Sequence, residues 1–369
     1  MTVVRISGVD DFDALGRRWR ELEQRADCSF FQSWSWYGCL AAERFPDPLL
    51  VEATEGGRTV ALALFNRVRH RFALPDLYLG ECGRPELDCP YVEQNGVLAE
   101  AGRAEALNFA CLKAVAPRHR LILSGIDRTT LVAARRAADM VWVRRAQPSP
   151  MADLAALRRS GSGYLAACSA NTRAQIRRSA RFYERLGEIT AQRADTVPDA
   201  LGMLDELERL HQAAWTARGQ PGSFASPFFR RFHAALIAEA LPRGEVTLLR
   251  VSCGTASIGV LYNFSFRQHM CAYQSGFNYR PEKGSAKPGL TCHGTAIQDA
   301  LDRGFDVYDF LAGDDRYKRS LADQAYPQYW VEAGPFRSVA LLLRQGRAVL
   351  GAMRGGGSGE KDRPPPETS

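Results

Sequence analysis

The sequence predicts an α/β (α+β) protein of two tandem domains, each a mixed sheet flanked by helices, with a cleft between them. Three observations carry this. A chain of 369 residues is too long for one average domain and suits two. The second half reads β-α-α-β-β-β-α-β-α-β, and the first half repeats nearly the same order. A strand ending in Tyr273-Gln274-Ser275-Gly276-Phe277 runs through a Lys/Gly/Pro loop into a helix, a second strand and a second helix.

The elements follow in order. Asp10 reads as an N-cap, and Phe12, Leu15, Trp19 and Leu22 then recur at helical spacing, so 11–25 is an amphipathic helix. A second helix is expected over Trp34–Arg44, ended by Pro46 and Pro48. Leu49–Ala53 and Thr59–Val68 read as strands around a two-glycine turn, followed by Asp76–Leu79. Helix Ala104–Val115, strand Arg120–Gly125, helix Thr129–Ala138 and strand Val141–Arg145 complete the first half.

After Gln147-Pro148-Ser149-Pro150 come helices Tyr164–Ser169 and Thr172–Leu186, strand Glu188–Arg193, and helices Val197–Ala217 and Pro227–Ala240. Strands Glu245–Val251, Ala256–Phe266 and Gln268–Phe277 lead to helix Leu290–Arg303, strand Asp306–Leu311, helix Arg316–Ala322 and strand Tyr329–Glu332. The predicted domains are 1–150 and 151–335, with a C-terminal helix over 336–353. The Gly/Pro-rich charged tail 354–369 is expected to be disordered and dispensable. A faint echo supports duplication: Ser29-Phe30 with Ser33 in one half, Ser223-Phe224 with Ser226 in the other.

Composition narrows the class. With 46% hydrophobic residues the chain can bury real cores. No run of eighteen apolar residues and no secretory signal pattern is present, so a cytoplasmic location is expected. Nine scattered cysteines without a C-x-x-C pair fit reduced, mostly buried thiols. A net charge of +7 suits anionic partners such as CoA phosphates, nucleotide-sugars or an anionic membrane surface. Arg173, Arg177, Arg178, Arg181 and Arg185 concentrate that charge on one segment. No aromatic-rich basic repeat demands a nucleic acid, and DNA is not an expected partner. No metal, P-loop or serine-hydrolase motif occurs.

Several residues are placed for chemistry. The loop Arg280–Gly289 lies between a strand and a helix, where Lys283, Gly284, Ser285, Lys287 and Gly289 suit a phosphate cradle. Asp309, Asp314 and Asp315 flank the carboxyl end of a strand, where open sheets bind ligands. Tyr317 opens the next helix and can donate a proton; Lys318 beside it can hold phosphate or a developing oxyanion. His211, Trp215, Arg218 and Gly219 share one helix face and suit an acceptor pocket, with His211 also a candidate acid or base. His293 reads as a helix residue rather than a general base.

The stretches 169–187, His211-x-x-x-Trp215-x-x-Arg218-Gly219, Tyr273–Phe277, Lys287–Leu290 and Tyr308–Lys318 together resemble the cellulose-biosynthesis-associated acetyltransferases of the GNAT superfamily. The chain is similar, more distantly, to Fem-type aminoacyltransferases that build peptidoglycan cross-bridges. The resemblance implies two GNAT-like domains and transfer of an acyl group, with acetyl-CoA or another acyl-CoA as donor and no metal. The acceptor it implies is an amine, such as an amino sugar or another precursor of an exopolysaccharide or envelope glycan. It points to Tyr317, Lys318, Asp309 and His211 for catalysis, to the 283–289 loop for the donor, and to Trp215, Arg218, Tyr273, Gln274 and Arg177 for substrate. Association with a membrane surface fits the same pathways. The usual pyrophosphate signature is altered here by Pro281 and Pro288, and Fem-type enzymes take their acyl group from aminoacyl-tRNA, so tRNA is the alternative donor. A non-catalytic partner of a polysaccharide synthase is a third reading.

Overall fold

A computed structural model describes residues 1–279 and 286–338. Lys283, Gly284 and Ser285, most of the expected 336–353 helix and the 354–369 tail lie outside the described residues. The chain divides into two compact units, one of Met1–Gln147 with the segment beginning at Pro327, the other of Pro148–Tyr326.

The first unit opens with β1 (Val3–Gly8), α1 (Phe12–Glu23), α2 (Trp34–Tyr37) and α3 (Ala41–Arg44). Strands β2 (Pro48–Glu55), β3 (Arg58–Val68), β4 (Asp76–Leu79) and the short β5 (Leu98–Ala99) follow. Then come α4 (Ala104–Val115), β6 (Arg120–Ile126), α5 (Arg128–Ala137) and β7 (Met140–Asp153). β1, β2, β3 and β4 pair antiparallel in that order, and β4 pairs parallel with β6. β2 and β3 carry continuous buried apolar runs, Leu49–Val51 and Val60–Phe65, and from them Val51, Ala53, Val60 and Phe65 join Leu107, Cys111 and Leu112 of α4 and Leu131 of α5 in one core. Asp127 caps α5 by accepting from Thr130 N.

The second unit begins with α6 (Leu154–Ser160), α7 (Tyr164–Ala167) and α8 (Ala170–Glu184). It continues with β8 (Ile189–Arg193), α9 (Val197–Thr216), α10 (Pro227–Ala240), β9 (Val246–Cys253), β10 (Ala256–Phe266) and β11 (His269–Phe277). It closes with α11 (Pro288–Asp302), β12 (Val307–Asp309), α12 (Arg316–Leu321) and β13 (Gln324–Gly334). β8, β9, β10 and β11 pair antiparallel in that order, and β11 pairs parallel with β12. The topology therefore repeats that of the first unit strand for strand. The serine echo is structural: Ser29 and Ser223 open 3-10 turns, and Ser33 and Ser226 then cap α2 and α10 through Trp36 N and Phe229 N.

Each sheet is completed by a strand from the other half of the sequence. Tyr329–Ala333 of β13 pair antiparallel with β6 in the first unit, and Met151–Asp153 of β7 pair antiparallel with β12 in the second. The sequence reading assigned 327–335 to the second domain; the structure groups that strand end with the first unit.

Two further differences have local causes. The single helix expected over Trp34–Arg44 is two, because Leu40 adopts φ 50 and breaks it. β1 escaped the sequence reading because it is an edge strand with an almost wholly exposed burial pattern, leaving no apolar alternation to read.

Candidate active site

The second unit holds a fork between two parallel strands. β11 and β12 pair at His269↔Val307, Met270↔Tyr308 and Cys271↔Asp309, and no further. β11 continues to Phe277 with β10 on one side only. A bulge helps to bend it away: Ala272 faces Asn263 and Gln274 faces Tyr262, so Tyr273 is the extra residue.

Asp309 turns the other prong. It is fully buried, and its carboxylate accepts from Ser149 Oγ (3.0 Å), Leu311 N (2.7 Å), His269 Nε2 (3.1 Å) and Tyr326 Oη (2.7 Å). The Leu311 bond holds that residue at φ 59. Phe310 N and Gly313 N then donate to Pro150 O and Pro148 O, drawing the chain onto β7 and away from β11. With all four bonds made, Asp309 is a node that shapes the fork.

The first unit has the same fork, and its own chain fills it. β4 and β6 pair at Asp76↔Arg120, Leu77↔Leu121 and Tyr78↔Ile122, then diverge. Asn95, 2% exposed, spans the gap: Nδ2 donates to Leu79 O (2.9 Å) and Ser124 O (3.2 Å), and its N–H donates to Gly125 O (2.8 Å). Tyr37 Oη donates to Asn95 Oδ1 at 2.9 Å. Ser124 Oγ also donates to Glu81 at 2.6 Å, a carboxyl that burial pushes up to about 7. At the β11–β12 fork the neighbouring side chain is instead a ring: His293 of α11 lies 5.7 Å from Phe277 and 5.5 Å from Phe310, centroid to centroid.

Helix α9 borders that fork. Gly276 lies so close beneath it that an added Cβ would meet Leu207 O at 2.5 Å. His211 is buried between Trp215 and Phe224, with ring centroids 5.6 and 5.5 Å away. Burial lowers its pKa to about 4, so the ring is neutral near pH 7. Its Nδ1 donates to Ser275 O (3.2 Å) and its Nε2 accepts from Ser223 N (3.3 Å). Both nitrogens are thus engaged, which makes His211 a positioning residue in this structure. Gln274 binds Ser223 Oγ through Nε2. The Arg218 guanidinium stands 5.9 Å from the rings of both Trp215 and Tyr279. Tyr273 is 4% exposed and packs into an aromatic core with Phe264 (4.5 Å) and His233 (5.0 Å).

On the other side, Tyr317 opens α12 half-buried, its ring stacked on His293 of α11 at 5.7 Å and 26°. This contact brings the first turns of α11 and α12 together. His293 donates to or accepts from Tyr308 Oη at 3.2 Å, and burial with nearby Lys318 lowers its pKa to about 3. Lys318 Nζ donates to Ala312 O (2.9 Å) and stands 3.9 Å from Asp315, tying down the loop between β12 and α12.

Lys287 caps α11. Its N–H donates to Ser179 Oγ (2.9 Å) and its Nζ to Gln175 Oε1 (2.7 Å), both on α8. Gly289 has room for a side chain, the nearest atom being Phe277 Cε2 at 3.4 Å. α8 buries Thr172, Ile176, Ser179 and Tyr183 and turns Arg177, Arg178, Arg181 and Arg185 outward on the opposite face. The predicted residues therefore fall into three groups: His211 with Gln274, Tyr317 with Lys318, and Lys287 with the arginine helix. The sequence reading gave Ser149, Tyr326 and His269 no role, because nothing in their spacing announces that they converge on Asp309.

Residues 170–319 match the acetyltransferase (GNAT) domain family. The chain carries a GNAT acetyltransferase domain, and the match spans the forked part of the second unit. The solved structure of the C-terminal domain of a putative lysylphosphatidylglycerol synthetase from Agrobacterium fabrum is similar, with TM-score 0.55 and 12% identity over 94% of this chain and 100% of that one. L-PGS from Bacillus licheniformis gives TM-score 0.55 and 10% identity over 91% and 96%. FemX gives TM-score 0.57 and 8% identity over 92% and 99%. At these identities the likeness is one of fold. No curated protein matches the chain. The GNAT domain marks the protein as an enzyme of acyl transfer. No helix among the described residues is long and apolar enough to cross a membrane.

Proposed function

We propose that the second unit moves an acyl group from an acyl-CoA, acetyl in the first instance, to an amine of a small molecule or glycan precursor. The observation that supports this reading is the contrast between the two forks: Asn95 ties the backbones of both prongs together in the first, whereas in the second the outward N–H and C=O of Ser275 on β11 are met by the exchangeable side chains of Gln274 and His211. A pantetheine arm is an extended chain of amides and can add to the free edge of β11 as a strand would. Lys287 and Gly289 at the start of α11, with Lys283, Gly284 and Ser285 preceding them in sequence, are the proposed pyrophosphate cradle.

In the transfer, the amine nitrogen bonds to the thioester carbon and the C–S bond breaks. The Tyr317 phenol supplies the proton that the leaving thiolate takes and recovers one from the amine. Lys318 and Asp309 act through the loop and fork they hold, and Arg177 and Arg218 are proposed as substrate-binding residues. The resemblance to cellulose-associated acetyltransferases supports an amine in an exopolysaccharide or envelope precursor.

An aminoacyl-tRNA donor is the second reading. The observation favouring it is the exposed arginine face of α8, which no described acidic side chain neutralises within ion-pair distance. Thiol release from acetyl-CoA in the presence of a panel of amino sugars and amines tests the first reading. Transfer of a labelled aminoacyl group from tRNA, with no thiol release, would favour the second.

A further inference from the structure

Four residues of the second unit close a ring of hydrogen bonds on the free edge of β11. Asn278 N donates to Ile258 O of β10, and strand alternation then turns the N–H and C=O of Ser275 away from β10. β12 does not reach this level, since its last rung is Cys271↔Asp309. Side chains take the two groups instead. Gln274 Oε1 accepts Ser275 N–H at 3.2 Å, and His211 Nδ1 donates to Ser275 O at 3.2 Å. The far ends of both side chains meet at Ser223: Gln274 Nε2 donates to its Oγ at 3.2 Å, and its N–H donates to His211 Nε2 at 3.3 Å.

Resting on the acyl-CoA reading above, we propose that Gln274 is a stand-in for the acyl donor. Its carboxamide oxygen occupies the Ser275 N–H that the thioester carbonyl takes on entering the fork, and His211 keeps that N–H aimed. Ser275 is half-buried, and a strand N–H so placed is stabilised by a hydrogen-bond partner, since leaving it bare costs about what a hydrogen bond returns. The group that pairs it without ligand must be a carbonyl-like acceptor able to leave without moving the backbone. Gln274 meets both needs, being the preceding residue and free to rotate about its side-chain torsions. His211 holds the carbonyl of the same residue from α9, so the N–H direction survives when Gln274 departs. Only hydrogen bonds are exchanged in this step.

The test is calorimetric titration of the full chain with CoA and with acetyl-CoA, for the unsubstituted protein, Gln274→Ala and Gln274→Glu. Removing the competing acceptor should tighten acetyl-CoA about three- to tenfold, the size of one exchanged hydrogen bond, while CoA, lacking a thioester carbonyl, is unaffected. A carboxylate holds the N–H more firmly, so Gln274→Glu should weaken acetyl-CoA relative to CoA by a similar factor or more. The readout is the ratio of the two Kd values, which general damage to the fold leaves alone. An unchanged ratio in both variants would overturn the stand-in and leave the donor reading intact. Failure of either ligand to bind the unsubstituted protein would overturn the donor reading and the stand-in with it.

Discussion

Gly276→Ala is the substitution whose consequence follows most directly from the geometry. The added Cβ would lie 2.5 Å from Leu207 O, 3.0 Å from Leu210 Cβ and 3.1 Å from Leu207 Cα, all on α9. Ordinary contact begins at 3.4 Å, so α9 must retreat by 3.4 − 2.5 = 0.9 Å at that point. The bond from His211 Nδ1 to Ser275 O starts at 3.2 Å, and the same retreat takes it to as much as 4.1 Å, beyond hydrogen-bond range. Overpacking of this kind costs about 1–3 kcal/mol and the lost bond about 1 kcal/mol more. For a unit of this size that lowers the melting temperature by roughly 4–15 °C. Differential scanning calorimetry of the full chain reads it, with Gly289→Ala as the control, since its new Cβ meets only Phe277 at 3.4 Å. A Gly276→Ala protein melting within about 1 °C of the parent would refute the claimed closeness of α9 to β11.

Other outcomes follow from the same contacts. Tyr317→Phe should lower kcat by about 10²–10⁴-fold with acetyl-CoA affinity nearly unchanged, as steady-state rates and titration together would reveal. Asp309→Asn places an amide N–H₂ against two of four donors and should destabilise the protein by about 1–3 kcal/mol, measured by urea unfolding; an unchanged midpoint would deny its role as a node. His211 and His293 have folded-state pKa values of about 4 and about 3, below the ordinary 6.5. The unfolded chain therefore binds more protons below pH 6.5, so stability should fall as pH drops from about 6.5 toward 4, each histidine contributing up to about 1.4 kcal/mol per pH unit. The pH slope of the urea midpoint should shrink in His293→Gln.

Much of this architecture was legible in the sequence because it is written locally. The helices over Ala104–Val115 and Pro227–Ala240 and the strand Ala256–Phe266 have the predicted bounds, each carrying a clear apolar period or a capping serine with proline. Pro148 and Pro150 predict a break after Arg145, yet β7 runs to Asp153. Both prolines serve there only as acceptors, for Gly313 N and Phe310 N, so the missing N–H groups are not needed. The site was legible in part. Tyr317 was placed by its position after a strand, but the four donors around Asp309 come from Ser149 to Tyr326, and their meeting is a fact of topology alone. The tethering of Lys318 to Ala312 O is likewise invisible in a sequence that presents it as a free ammonium.

The central claim is that the fork between β11 and β12, and not its counterpart between β4 and β6, receives the donor. A crystal structure with a non-reactive acetyl-CoA analogue tests it most directly. The account predicts the pantetheine arm along Ala272–Phe277 and the carbonyl on Ser275 N–H, with Asn95 still bonded to Leu79 O and Ser124 O in the first unit. An analogue bound in the first unit with Asn95 displaced, and an empty β11–β12 fork, would contradict it.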